Sequence, residues 1–120
     1  MTTSVWDRPS PATTYREEVR TFADEEFKVS RRSLTYPEEV RLIQMVTDKR
    51  TRRPDNLELL ARTVELTVKE NNFGLTAERV RTALPDRPEL AWFLIKWLCG
   101  ETLTNISSDA NEELVKKSGP

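Results

Sequence analysis

The stretch DNLELLARTVELTV, Asp55 to Val68, carries the clearest periodic pattern in the sequence. Apolar side chains recur along it at spacings of three and four residues, as they do on the buried face of an amphipathic α-helix. Asp55 can cap the first turn, and Glu58 follows three residues later. The pattern predicts a helix over Asn56–Asn71, which ends where Gly74 can form a left-handed cap. The apolar face comprises Leu57, Leu60, Ala61, Val64 and Val68.

Similar start and stop signals on either side of this stretch predict three more helices. Thr35 and Glu38 have capping-box spacing, Thr76 and Asp86 precede two further apolar segments, and Gly100 follows the last of them. The predicted helices are Pro37–Asp48, Ala77–Leu84 and Arg87–Cys99. We expect the following apolar side chains to pack together as the core: Leu57, Leu60, Val64, Val80, Leu84, Leu94 and Leu98.

The segment from Tyr15 to Ser33 has a different pattern. Apolar and charged residues alternate on both sides of Ala23-Asp24-Glu25, which favours a small β-hairpin. An amphipathic helix over Tyr15 to Glu25 is the alternative, because Arg, Glu and Ala favour helices. The predicted fold class is therefore mainly α, a single domain of about four helices with a small N-terminal β-hairpin.

Two polar segments flank this predicted helical domain, which spans residues 15–103. Residues 1–14 are rich in Thr, Ser and Pro, and residues 104–120 are mostly polar, so both are expected to be flexible tails. Trp6 is unusual in such a tail. It either folds back onto the domain or stays exposed to solvent, and the alternative is that it anchors a partner.

The composition argues against catalysis. The chain has no histidine and one cysteine, and its three glycines stand far apart. A Ser-His or Cys-His pair, a histidine metal ligand and a glycine-rich phosphate loop are therefore all missing from the sequence. Cys99 lies in an apolar segment that predicts a buried, inert thiol. We expect no enzyme activity, no metal and no cofactor.

Charge and hydropathy indicate a cytoplasmic protein. Nineteen basic and twenty acidic residues give a formal net charge of −1, which offers no general attraction to nucleic acid or to a membrane surface. The first eleven residues lack the pattern of a signal peptide. The longest apolar run, Leu90 to Cys99, is about half of the ~20 residues that span a bilayer.

A basic cluster between Lys49 and Arg53 supports an alternative function. Its members could contact a phosphate backbone, and the segment Leu75 to Leu84 followed by another helix has the order of a helix-turn-helix. The alternative is thus a small helical nucleic-acid-binding regulator. The second helix, ELAWFLIKWLC, is too apolar to read base edges in a groove, which argues against it. The basic cluster comprises Lys49, Arg50, Arg52 and Arg53.

The same apolar helix is the predicted partner-binding element. A helix that is apolar on all sides is either fully enclosed or exposes a stripe that another protein can cover. Trp92 and Trp97 are five positions apart and point about 140° away from each other, so both cannot face one small core. We expect Trp92 and Phe93 to face a partner and Trp97 to lie toward the core.

Three stretches together resemble the bacteriophage tail assembly chaperones. VRTFADEEFKVSRRSLTYPEE, Val19 to Glu39, is similar to their opening of two strands and a capped helix. NLELLARTVELTVKE, Asn56 to Glu70, resembles their central apolar helix, and GLTAERVRTALPDRPELAWFLIKWLCG, Gly74 to Gly100, resembles their close. The likeness is one of element order, and it covers about two thirds of the chain. The N-terminal tail with Trp6 and the lack of a clear downstream domain depart from it.

The resemblance implies a non-enzymatic virion-assembly factor in the host cytoplasm. Its partners would be the long, helical tape-measure protein and the tail tube subunits that later replace it. Self-association into an oligomer and a longer frameshifted product remain open on this reading.

Overall fold

The hairpin expected from the alternating pattern is present in the computed structural model, which describes residue 8 and residues 10–118, with side chains up to residue 105. Strand β1 (Arg16–Phe22) pairs antiparallel with strand β2 (Glu25–Arg31). The two connecting residues, Ala23 and Asp24, have positive φ values of 51° and 65°. Positive φ at both positions is the pattern of a type I′ turn, whose twist matches that of the strands it joins.

Side-chain caps start the first three helices. The Thr35 hydroxyl accepts a hydrogen bond from the Glu38 N–H (3.3 Å), and the Glu38 carboxylate accepts one from the Thr35 N–H (2.9 Å), which completes a capping box. Asp55 and Thr76 cap the next two helices in the same way, through the N–H three residues on. The helices are α1 (Tyr36–Val46), α2 (Asn56–Thr67), α3 (Ala77–Thr82) and α4 (Pro88–Ser118), with a 3₁₀ turn (Leu84–Asp86) before α4.

The predicted fold class, mainly α, is wrong, because the structure is an α+β fold. Helix α2 ends at Thr67 and not at Asn71. Residues Val68–Asn71 form strand β3, which pairs antiparallel with the second edge of β2 and gives a three-stranded sheet of order β1-β2-β3. The open edge of β2 provides backbone partners for this segment, and this pairing overrides the helical spacing of Val68.

The residue that follows β3, Asn72, also bonds to the sheet. The Asn72 carboxamide accepts a hydrogen bond from the Lys28 N–H (2.8 Å) and donates one to the Glu26 carbonyl (3.1 Å). These bonds continue the contact with β2 beyond the end of β3. Gly74 does adopt a positive φ of 69°, but in the loop after the strand, where an added Cβ would meet the Arg79 guanidinium.

The predicted end of the last helix at Cys99 is also wrong. Helix α4 continues through Gly100 to Ser118, so the backbone of residues 104–118 is helical. A Cβ at Gly100 would meet no atom within 4 Å, so no close contact with another element requires a glycine at this position. At the other end, Trp6 lies outside the described residues. The division into one domain and two flexible tails stays a prediction.

The core lies between the four helices and one face of β2, and α1 contributes Leu42 and Val46 to it. Leu59, Leu60, Val80 and Leu94 are at most 1 % exposed, and Val29 of β2 packs with them. Of the seven predicted core residues, all are buried except Leu57, which is partly buried at the edge of the same cluster. The core prediction is confirmed with that one exception.

We expect Ala23→Asn to stabilise the protein by about 0.5–1 kcal/mol. Alanine at a positive φ brings its Cβ close to a carbonyl oxygen, and asparagine adopts this conformation at lower cost. Urea denaturation measures the change. Ala23→Val is the control, because a β-branched side chain at this φ should lower the midpoint; a rise with both variants would contradict the turn conformation.

Replacing Leu60 with alanine should lower the free energy of unfolding by roughly 2–5 kcal/mol, because the side chain is fully enclosed and its removal leaves a cavity. Leu66, on the same helix and 40 % exposed, provides the matched control, and Leu66→Ala should cost less than ~1 kcal/mol. Equal midpoints for the two variants in urea would show that Leu60 is not in the core.

Candidate partner-binding surfaces

The three aromatic residues predicted to bind a partner do not form one surface. Trp92 is 52 % exposed, as expected. Phe93, which we expected beside it, stacks on Phe22 with ring centroids 4.8 Å apart and packs on Phe27 at 5.8 Å. Trp97 packs against Phe93 at 5.7 Å. The hairpin therefore covers Phe93 and Trp97, and of the three only Trp92 presents most of its ring to solvent.

Trp97 also makes a polar contact that joins α4 to strand β1. Its indole N–H donates to Glu18 Oε1 on β1 (3.0 Å), and Arg31 Nη2 donates to the same oxygen (3.2 Å). Burial would raise the pKa of Glu18, but the hydrogen bonds from Trp97 and Arg31 outweigh it and lower the pKa below its usual value. Glu18 is therefore an ionised group that fixes the hairpin to α4.

An apolar groove between α1 and α2 was not anticipated from the sequence. We call it the α1–α2 groove, and its volume is about 310 Å³. Leu42 lies buried in its lining, while Met45 is 54 % and Leu66 40 % exposed. Two large apolar side chains from adjacent helices thus border the same concave surface. The other lining residues are Pro37, Glu38, Arg41, Arg62 and Glu65.

The charged lining residues of the groove are mostly held by ion pairs. Glu38 accepts two hydrogen bonds from the Arg32 guanidinium, at 2.8 and 2.9 Å. Arg62 pairs with Glu58 at 3.0 Å, and Glu65 pairs with Arg81 at 3.3 Å. These pairs fix the charges in place, so a partner meets an apolar surface with charges of both signs along it.

One signal in the sequence could have indicated this groove. Leu66 is apolar but falls outside the core spacing of α2 that Val64 marks, whereas Met45, three residues after the buried Leu42, fits the core spacing of α1. An apolar residue beside the core stripe predicts an exposed position. The pattern within one helix does not show how α1 and α2 pack against each other. This packing places Met45 and Leu66 on the same groove.

The basic cluster lies in the loop between α1 and α2, where Lys49, Arg50, Arg52 and Arg53 are exposed. Asp48 organises this loop. Its carboxylate accepts hydrogen bonds from the backbone N–H groups of Arg50 (2.7 Å) and Thr51 (3.3 Å), and its carbonyl accepts one from that of Arg52 (2.8 Å). The structure therefore presents the four cations together on an ordered loop.

Two further observations concern metal binding and the reactivity of the cysteine. Among the described side chains, those of residue 8 and residues 10–105, no three or more Cys, Asp or Glu form a group that could bind a metal ion. Burial raises the pKa of the Cys99 thiol to about 11, and this thiol donates a hydrogen bond to Thr63. Across the same residues, no helix combines the length and apolar character needed to cross a membrane.

The Glu38 pair makes a testable contribution to stability. The hydrogen bonds from Arg32 lower the pKa of Glu38 to about 2, so its stabilisation is fully present above about pH 4.5 and is lost as the pH falls toward 2. Glu38→Gln keeps the capping acceptor but removes the charge, and should cost ~1–2 kcal/mol at pH 7 and nothing near pH 2. Urea denaturation across this pH range is the measurement. Glu17→Gln, on the exposed side of β1, is the control; a constant cost for Glu38→Gln from pH 7 to pH 2 would contradict the assignment.

Comparisons of this chain with family models, with curated proteins and with solved structures found no match, so the surfaces themselves carry the functional argument.

Proposed function

We propose that this protein is a non-enzymatic assembly factor that binds a helical segment of another protein in the α1–α2 groove. The observation that carries the proposal is the exposure of Met45 and Leu66 over the buried Leu42. Water contact with these side chains costs free energy, and a covering partner recovers it in proportion to the apolar area that it buries.

The shape and chemistry of the groove favour a helix as the occupant. A groove between two packed helices accepts the apolar ridge of a third, which is a common mode of peptide recognition. The flexible thioether of Met45 adapts to partners of different shape. Arg41 and Glu65 place opposite charges along the groove, and these favour a helix that carries both signs beside its apolar stripe.

The resemblance to tail assembly chaperones supports a specific form of this function. On that reading the client is the tape-measure protein, whose long helices would expose apolar stripes until tail tube subunits cover them. A protein that covers such stripes needs an apolar docking surface and no catalytic group. Trp92, exposed on α4, is the predicted second contact with the client.

The test is co-purification with the long helical protein encoded beside this chain's gene. Met45→Glu and Leu66→Glu each place a charge in the groove and should weaken binding at least tenfold. Met45→Leu keeps the apolar surface and should bind like the unchanged protein. Trp92→Ala should weaken binding less, if Trp92 is a second contact. Binding that survives both glutamate variants would refute the groove as the docking site.

The nucleic-acid alternative predicts a different outcome in the same experiment. Replacing the four basic residues of the α1–α2 loop with glutamine would then abolish binding, and moderate salt would do the same, because phosphate contacts weaken steeply with ionic strength. The proposed apolar contact should be little affected by either change. The four replaced residues are Lys49, Arg50, Arg52 and Arg53.

A further inference from the structure

A second concave surface lies between one face of the hairpin and α4. Its lining is mostly polar and charged, in contrast to the apolar α1–α2 groove. It encloses about 550 Å³, which is within the usual range for ligand sites. We call it the basic cleft, because five basic side chains line it against three acidic ones. The basic residues are Arg16, Arg20, Arg31, Arg32 and Lys96, and the acidic ones are Glu18, Glu39 and Glu101.

The strand register gathers like charges at one end of this cleft. Arg16 and Arg31 are directly opposite each other on β1 and β2, a position where two like charges repel. Arg20 projects from the same face of β1, since it is four residues from Arg16. One carboxylate, Glu18, serves all three guanidinium groups, with N–O distances of 3.0 Å to Arg16, 3.0 Å to Arg31 and 3.7 Å to Arg20.

A single carboxylate leaves two positive charges without compensation among these four side chains. The surplus is permanent, because arginine does not lose its proton in proteins. Lys96, which makes no ion pair within the described part of the chain, adds a further cation to the lining, while Glu39 and Glu101 add two negative charges. Together with Arg16, Arg20, Arg31 and Glu18, these side chains carry four positive and three negative charges, a net charge of +1. The remaining basic residue, Arg32, is neutralised by Glu38 outside the cleft.

The cleft also offers free hydrogen-bond donors. The side chains of Arg16 and Arg20 are 40 % and 52 % exposed, and each guanidinium has five N–H groups, of which Glu18, Ser33 and the Val19 carbonyl use only some. The Arg20 guanidinium lies 5.6 Å from the centre of the Trp97 ring, which holds it over the cleft. Thr63, Thr67 and Thr102 add buried polar side chains to the lining.

We propose that the basic cleft binds a carboxylate of an acidic peptide segment, at the guanidinium groups of Arg16 and Arg20 and the ammonium group of Lys96. Arginine forks match the planar carboxylate and donate two parallel hydrogen bonds to it. A singly charged carboxylate suits the site better than a phosphate dianion, because three carboxylates already lie in the lining. This site is separate from the α1–α2 groove, so it stands whether or not the groove binds a client.

The test uses a capped hexaglutamate peptide at low ionic strength, with the tryptophan indole N–H signals followed by NMR in the full chain. Trp97 lines the cleft, and its signal is assigned with Trp97→Phe; Trp92 lies outside the cleft and is the internal control. The Trp97 signal should move and saturate with hexaglutamate, the Trp92 signal should stay in place, and a hexaglutamine peptide should move neither.

Charge variants locate the binding on the cleft. Arg16→Gln with Lys96→Gln should weaken hexaglutamate binding about tenfold or more. Lys49→Gln with Arg50→Gln changes the net charge by the same amount elsewhere and should alter the affinity less than about twofold. Lys96→Glu, at an exposed position without an ion pair, should weaken binding even if the Arg16 variant does not fold.

Three results would overturn the proposal. The first is a Trp97 signal that hexaglutamate does not move. The second is an equal loss of affinity in the loop variant Lys49→Gln with Arg50→Gln, which would show diffuse attraction in place of a site. The third is saturation by inorganic phosphate at lower concentration than by the peptide, which would assign the cleft to phosphate.

Discussion

The packing of the hairpin on Phe93 and Trp97 is the contact on which the rest of the structure depends. Helix α4 is apolar on nearly every side from Leu90 to Cys99, and it packs against α2 in the core that contains Leu94 and Leu98. The hairpin covers another side. A two-stranded hairpin is marginally stable alone, so the helix gives the sheet an apolar surface to pack on while the sheet removes aromatic rings from water.

Polar contacts make this packing specific. Aromatic rings alone would tolerate several orientations of a hairpin on a helix, but the bond from the Trp97 indole to Glu18 selects one, and Glu18 in turn holds the neighbouring arginines. The same arrangement creates the basic cleft beside it. The charge surplus in the cleft is thus a by-product of the contact that fixes the hairpin.

The sequence predicts the elements whose signals are local. The capping box at Thr35 and Glu38, the periodic face of α2 and the alternation in the hairpin each lie within a few residues, and each element forms. Strand β3 could not be predicted in this way, because its four residues fit the helical pattern of α2 and become a strand only through the open edge of β2, some forty residues earlier. The continuation of α4 through Gly100 could not be predicted, because a glycine directly after an apolar segment is also the usual signal for the end of a helix.

The candidate surfaces likewise combine features that a local signal predicts with features that depend on distant residues. The 140° between Trp92 and Trp97 follows from helix geometry, and it correctly separates the two side chains. Which of them is covered depends on where the hairpin lies, and the pairing of Met45 with Leu66 depends on how α1 packs on α2. Both depend on how two elements of the structure pack together, so the sequence of one element alone does not predict them.

The position of the hairpin–helix contact in the chain has a consequence for folding. Glu18 and Trp97 are 79 residues apart, so the chain must close a long loop before the contact forms, and such non-local contacts slow folding. During synthesis the hairpin leaves the ribosome before the helix that covers it. Until α4 emerges, therefore, Phe22 and Phe27 have no native partner on that helix, and the nascent chain presents an apolar strand pair that needs protection from aggregation.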